Sequence, residues 1–493
     1  MVILKERAYM SIKFGTDGWR AVIADEFTFE NVRLVSQAVA DYILNDLLPA
    51  GEKPSIVIGF DTRFLSDRFA AEVARVMAAN GIETWLTRAD TPTPALSYNV
   101  KSKNALAGVM ITASHNPPRY NGFKLKAAYG GSAPPEAARR VEEYLQKNFS
   151  QRRTPHVMEL QRGIEDGIIH RFDPSWTYYE HITSLLDMDT ISEGELRVIA
   201  DPMFGSGRGA LRDVLSRTRC RVREIRGYMN PGFEHIHPEP IERNLDLLAA
   251  AIRQDHADVG IATDGDADRV GAMDQNGRFV SPHQIIALCL RHLVEKRGMT
   301  GDVVKTVSTT AMVNRIAAKY GLKVHETPVG FNHISEYMLN GDVLIGGEES
   351  GGISIKGHIP EGDGVLMGLL LLEVIAAAGR SVPLHEIIDD LQNQFGPTHY
   401  KRIDQYLQYP IDKKTMVQFL VDHAPSVIGG ERVKDIQTYD GIKFVLADDS
   451  WLLIRPSGTE PVLRLYAEAT SESLMNELLS TAQHLVRDKA AKT

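Results

Sequence analysis

The chain has 493 residues, 43% of them hydrophobic and 24% charged, with a formal net charge of -9. That length allows three or four domains, and the acidic balance excludes the chain-wide basic footprint of a nucleic-acid binder. Cys220 and Cys289 are too few and too far apart for a disulfide scaffold, so buried thiols in a reducing compartment are expected.

Met1 to Met10 carries Lys5, Glu6 and Arg7 but no apolar core, unlike a secretory signal. The β-rich run Ser55–Phe60 predicts a strand, and the apolar spacing of Ser66–Ala79 predicts a helix closed by Gly81. Glu83–Thr87 and Ala107–Ile111 read as further strands. A second unit begins at strand Leu196–Ala200 and passes through a glycine-bearing turn into a helix at Ala210–Leu215. Strand Arg221–Ile225, helix Leu245–Gln254 and strand Val259–Ala262 follow. A third has strand Val303–Val307, helix Met312–Tyr320, and strands Lys323–Glu326 and Val343–Ile345. Val365 to Ala378 is apolar apart from Glu373, too short to span a bilayer, and reads as a buried helix ending at Gly379. No membrane partner is expected, and the cytoplasm is the default location. From about residue 397 the pattern changes to strands Ile442–Leu446, Trp451–Ile454 and Leu463–Ala467, then a helix from Ser471.

Strand–helix alternation predicts three α/β domains with mixed, largely parallel sheets, and the last segment predicts an α+β domain. We place them at 1–170, 171–278, 279–396 and 397–493. The unusual residues fall just after strands, where open α/β sheets gather ligands, so several such ends would line one central cleft.

Four loops carry the chemistry. Thr112-Ala113-Ser114-His115-Asn116-Pro117 follows a predicted strand and offers a hydroxyl beside a histidine; alone it also suits a turn or helix cap. It lacks a G-x-S-x-G elbow, so something other than the adjacent histidine must activate Ser114. Asp264-Gly265-Asp266-Ala267-Asp268-Arg269 sets three carboxylates at alternate positions. Their mutual repulsion calls for a hard cation such as Mg²⁺ or Ca²⁺, and Arg269 and Gln275 stand where an EF-hand needs Gly and Glu. Gly346-Gly347-Glu348-Glu349-Ser350-Gly351-Gly352 lets backbone approach a ligand, with Glu and Ser suited to sugar hydroxyls, although such turns are common. Arg455-Pro456-Ser457-Gly458-Thr459-Glu460-Pro461 combines a guanidinium, hydroxyls and free amides into an oxyanion cradle or a plain turn. His235-Ile236-His237 has no third ligand nearby and reads as loop, and Gly205 to Gly209 reads as a strand-to-helix turn.

Taken together and in this order, the loops resemble the α-D-phosphohexomutase superfamily. Its members share a T-A-S-H-N-P serine loop, a D-G-D-A/G-D-R metal loop, a G-E-x-S sugar loop and an R-x-S-G/N-T phosphate loop. Phe14 to Arg20 matches its opening motif, and Asn121-Gly122-Phe123-Lys124 the segment after its serine loop. The resemblance runs from about residue 14 to the C-terminal helix and implies four domains around a cleft.

It further implies that Ser114 carries a phosphoryl group, while Asp264, Asp266 and Asp268 hold Mg²⁺ together with an oxygen of that phosphate. Arg20, Lys124 and Arg269 would stabilise the transferred charge, with Lys305 and His115 among the substrate contacts. Glu348 and Ser350 would hold sugar hydroxyls, and Arg455, Ser457, Gly458 and Thr459 the phosphate that is not reacting. The reaction implied is interconversion of hexose 1-phosphate and 6-phosphate through a hexose 1,6-bisphosphate, in a monomer or homodimer.

Asn332 stands where many glucose-type members carry Lys, and Glu349 and Gly352 replace the Met and His of the dual-specificity glucose/mannose loop. Glu349 matches the glucose-type G-E-E-S, so glucose phosphates are expected. The alternatives are a phosphomannomutase, a phosphoglucosamine mutase, a glucose-1,6-bisphosphate synthase and a non-catalytic phosphosugar-binding protein.

Overall fold

Buried strands alternating with one-sided helices build the first three units, and the carboxyl ends of their parallel strands carry three of the four loops singled out above, the Arg455 loop following a strand of the fourth. The computed structural model describes residues 12–15, 18–407, 412–456 and 462–490, with backbone alone for 488–490.

The first sheet contains β1 (Trp19–Val22), β2 (Ser55–Phe60), β3 (Glu83–Thr87), β4 (Ala107–Ile111), β5 (Tyr120–Ala127), β6 (Gly131–Ser132) and β7 (Ile169–Phe172). Its order is β1-β5-β4-β2-β3-β7, with β6 on β5. β4, β2, β3 and β7 run parallel, and β5 turns back antiparallel along β4. Helix Ser66–Ala79 joins β2 to β3 and buries Phe69, Val73, Val76 and Met77, the spacing that its sequence predicts.

The second sheet has β8 (Arg197–Asp201), β9 (Arg221–Glu224), β10 (Val259–Thr263), β11 (Val270–Asp274) and β12 (Phe279–Val280), ordered β12-β11-β10-β8-β9. The third has β13 (Asp302–Thr306), β14 (Val324–Thr327), β15 (Val343–Gly347) and β16 (Ile353–Ile355), ordered β14-β13-β15-β16. These two sheets share one core: Val198 and Ile261 of the second and Leu344 and Ile345 of the third fall in the same cluster. Helix Pro282–Glu295 enters it, opened by a capping box between Ser281 and Gln284 with proline in the first turn. Helix Gly364–Ala378 enters it too, capped by Asp363 and stopped at Gly379, as its apolar run predicts. Buried Glu373 is satisfied by His292 Nε2 at 2.8 Å and the Asp187 N–H at 2.8 Å.

The fourth sheet is antiparallel throughout: β17 (His399–Tyr406), β18 (Val427–Ile428), β19 (Glu431–Gln437), β20 (Ile442–Leu446), β21 (Trp451–Pro456) and β22 (Val462–Ala469). Period-two alternation on β21 gives it two buried faces. Leu452 and Ile454 meet helices Lys413–Asp422 and Glu472–Ala490, whereas Trp451 and Leu453 pack with Val307 of the third unit. Cys289 is buried, but Cys220 is only half-buried, with its thiol donating to the Ile191 carbonyl at 3.3 Å. Among the described residues no helix is long and apolar enough to cross a membrane.

Candidate active site

Ser114 follows β4 in a left-handed backbone conformation, φ 50°, a sterically demanding one for a residue with a Cβ. Two contacts hold it there. Its N–H donates to Thr112 Oγ1 at 2.9 Å, and Thr112 in turn donates to Asp61 Oδ2 at 2.6 Å. Beneath the loop, the buried Arg63 guanidinium donates to the carbonyls of Ser114 and Asn116, both at 2.6 Å, and to that of Pro117 at 2.9 Å.

The serine hydroxyl donates to Asp264 Oδ2 at 2.8 Å and lies 3.3 Å from His115 Nδ1. Asp264 opens the loop after β10. That loop touches the serine loop closely: a Cβ on Gly265 would sit 2.5 Å from the Ser114 carbonyl oxygen, so only glycine fits. Carboxylate oxygens of Asp264, Asp266 and Asp268 lie within 4.8 Å of one another. Lys124 on β5 reaches Asp266 Oδ2 at 2.9 Å and Asp268 Oδ2 at 3.1 Å, and Thr93 Oγ1 donates to Asp266 at 2.7 Å.

Burial, and then the charges of Asp268 and Asp266, push the Asp264 carboxyl well above the usual carboxylate range. Crowded hard oxygens of this kind fit Mg²⁺, and a divalent cation would relieve the repulsion that the geometry creates. His115 is driven well below its ordinary value by burial and by Arg269, Arg20, Lys124 and Arg63, which keeps the ring neutral. Arg20, Lys124 and Arg269 form the local basic cluster that an acidic protein needs for an anionic substrate, with Arg63 buried beneath the serine loop. Arg20 also donates to Asn116 Oδ1 at 2.7 Å.

The structure thus brings Ser114, His115, Arg20, Lys124, Arg269 and the three aspartates together. Glu348, after β15, belongs to the same field: burial pushes its carboxyl up to about 7 against the pull of Arg269, and its Oε1 accepts the Gly330 N–H at 2.9 Å. Ser350 is half-buried in the adjoining turn. Glu349 turns away, accepting from Tyr400 Oη at 3.2 Å and Arg402 Nη1 at 3.3 Å on β17.

Lys305 stands apart from the cluster. Its buried ammonium donates to the Thr309 and Thr310 carbonyls at 3.1 and 3.2 Å and pairs with Glu326 at 3.2 Å. Arg455, next to last in β21, has Nε on Asp440 Oδ2 at 2.8 Å, and Ser457, Gly458 and Thr459 lie outside the described residues. Sequence reasoning missed Arg63 and Thr93. The signal for the first was Asp61-Thr62-Arg63 directly after a strand, the position that marked the other loops.

Four family models match this chain: phosphoglucomutase/phosphomannomutase α/β/α domains I, II and III over 11–152, 177–277 and 281–395, and the C-terminal domain over 417–482. A phosphoglucomutase/phosphomannomutase of Thermococcus kodakarensis is 30% identical over 477 residues, covering 96% of this chain and 98% of its own. A phosphoglucosamine/phosphogalactosamine mutase of Sulfurisphaera tokodaii is 30% identical over 481 residues, covering 97% and 99%. Among solved structures, a candidate phosphomannomutase of Thermus thermophilus superposes with a TM-score of 0.83 at 34% identity, covering 97% and 99%. Matched in all four domains, the chain belongs to the phosphoglucomutase/phosphomannomutase family of the α-D-phosphohexomutase superfamily and is a mutase, an isomerase that works by phosphoryl transfer.

Proposed function

We propose that the protein interconverts hexose 1-phosphate and hexose 6-phosphate in the cytoplasm, with glucose the preferred sugar and Ser114 Oγ the phosphoryl carrier. The observation that carries this reading is Ser114 Oγ held 2.8 Å from Asp264 between a carboxylate trio and a ring of cations. In the first transfer the Oγ–P bond of phosphoserine breaks while a free sugar hydroxyl oxygen bonds to phosphorus, its proton passing to a basic group of the cleft. The bisphosphate turns over, and the reverse transfer moves its other phosphoryl group back to Ser114 and returns a proton to the sugar. Arg20, Lys124 and Arg269 stabilise charge on the moving group.

Asp264, Asp266 and Asp268 are the residues that would hold Mg²⁺, with an oxygen of the Ser114 phosphate. When bound, the ion neutralises charge on the transferred phosphoryl. His115, Glu348 and Ser350 contact the substrate, and Lys305 joins them only by leaving Glu326. Arg455, Ser457, Gly458 and Thr459 grip the distal phosphate.

Glucose is supported by the likeness of Gly347-Glu348-Glu349-Ser350 to the glucose-type sugar loop, a likeness of sequence and not of contact, since Glu349 turns toward β17. Amino sugars make the second reading, favoured by the Sulfurisphaera relative's name. Initial rates on glucose, mannose and glucosamine 1-phosphates decide between them, and a preference for glucosamine would overturn the first. For the carrier, intact mass should show about 80 Da on Ser114, lost on incubation with excess hexose monophosphate. A folded Ser114→Ala variant with substantial turnover would sink the mechanism.

A further inference from the structure

Asp440 sits in the turn between β19 and β20, 5% exposed. Its Oδ2 accepts Arg455 Nε at 2.8 Å and the Val329 N–H at 3.0 Å, while Oδ1 takes Lys413 Nζ at 2.7 Å. Val329 precedes Gly330, whose own N–H donates to Glu348 Oε1 at 2.9 Å. A continuous line of polar contacts therefore runs from an arginine of the fourth unit to a glutamate of the third.

Two features make that line firm. Gly441, φ +95°, lets the turn press onto β21; a Cβ there would lie 2.6 Å from the Ile454 carbonyl oxygen and 3.0 Å from Arg455 Cα. Val307, Trp451, Leu453 and Tyr466 pack between the same two units with Val329 against them, and the burial of Asp440 beside them strengthens its charged hydrogen bonds. An arginine fixed through Nε has its plane set, and its Nη edge is the one suited to bidentate phosphate binding.

The geometry points to Asp440 as a positioning residue that orients Arg455 for the distal phosphate and ties it to the Val329–Gly330–Glu348 edge of the sugar site. This rests on the phosphate role proposed for Arg455 and deepens it: engagement of the phosphate and of the sugar become one event across the two units.

Steady-state kinetics on both monophosphate isomers test it. Asp440→Ala should raise KM for both about tenfold, the loss of one charge-assisted contact, with a smaller fall in kcat. Asp440→Asn, which keeps one oxygen for both Arg455 and Val329, should recover most of that loss and guards against a folding defect. Arg455→Ala added to Asp440→Ala should cost much less than Arg455→Ala alone. An unchanged KM in Asp440→Ala, or full additivity with Arg455→Ala, overturns the proposal. Hydrogen exchange reads the tie without turnover: the Gly330 amide should exchange faster in Asp440→Ala, and unchanged exchange refutes the coupling. A wild-type protein inactive on every hexose phosphate refutes the proposed function instead, and the exchange result still decides the tie.

Discussion

Arg63 Nη2 lies 2.6 Å from the carbonyl oxygen of Ser114, so the residue proposed to carry phosphate rests on a buried cation that never enters the cleft. Arg63 and Asp61 form an ion pair at 3.2 Å with neither side chain exposed. Breaking such a pair leaves a buried carboxylate and unpaired carbonyls, which costs about 3–5 kcal/mol. Arg63→Ala should therefore lower the urea midpoint of the first unit strongly and release the strained Ser114 backbone. A variant with unchanged stability would show that the serine loop holds itself.

Metal binding should stabilise the protein and should weaken in acid sooner than ordinary carboxylates allow. The Asp264 carboxyl is raised by burial and then by Asp268 and Asp266, so it takes up a proton well above the usual carboxylate range. That proton competes with Mg²⁺. Thermal shifts with and without Mg²⁺ across falling pH should converge early, and Asp266→Asn should abolish the shift. A Mg²⁺ effect constant across the acid range would contradict this.

Glu348 offers a pH window near neutrality. Its carboxyl is raised from 4.5 to about 7, so between those values the folded state binds more protons than the unfolded. Its contribution to stability therefore falls as pH rises through that window. Glu348→Gln should remove this slope. If the ionised carboxylate accepts a sugar hydroxyl, KM should also fall as pH rises through about 7. A wild-type KM flat from pH 6 to 8 would argue against that contact.

Local pattern carried much of the fold. Ser55–Phe60, Ser66–Ala79, Glu83–Thr87 and Ala107–Ile111 have the predicted bounds because their apolar spacing is that of one buried face or a buried strand. β5 escaped notice because its buried face carries Lys124 and Lys126, residues that composition assigns to solvent. Their neutralising partners, Asp266 and Glu361, lie 142 and 235 positions away. The reactive loops were legible since each follows a strand. Thr93 was not, because a carboxylate 173 positions away defines it, and Arg63, although it too follows a strand, binds backbone carbonyls that no residue type reveals. Nor does the sequence give side-chain direction within a loop: Glu348 faces the cleft and Glu349 leaves it.

That last contrast makes a prediction about sugar choice. The Glu349 carboxylate is 3.2 Å from Tyr400 Oη and 3.3 Å from Arg402 Nη1, both on β17 of the fourth unit. A side chain committed there cannot also discriminate epimers by touching a sugar hydroxyl. Its influence runs through docking of the fourth unit, which acts alike on every hexose phosphate that needs the distal cradle. Glu349→Met should therefore raise KM for glucose and mannose 1-phosphates together, while the ratio of their kcat/KM values moves less than about threefold, under 1 kcal/mol. The same variant should lower thermal stability modestly, since it removes a partner from Arg402 but leaves Asp404, whose Oδ1 accepts Arg402 Nε at 2.7 Å. A tenfold change in the glucose-to-mannose ratio, with KM for one sugar unaffected, would mean that Glu349 swings back into the cleft when substrate binds.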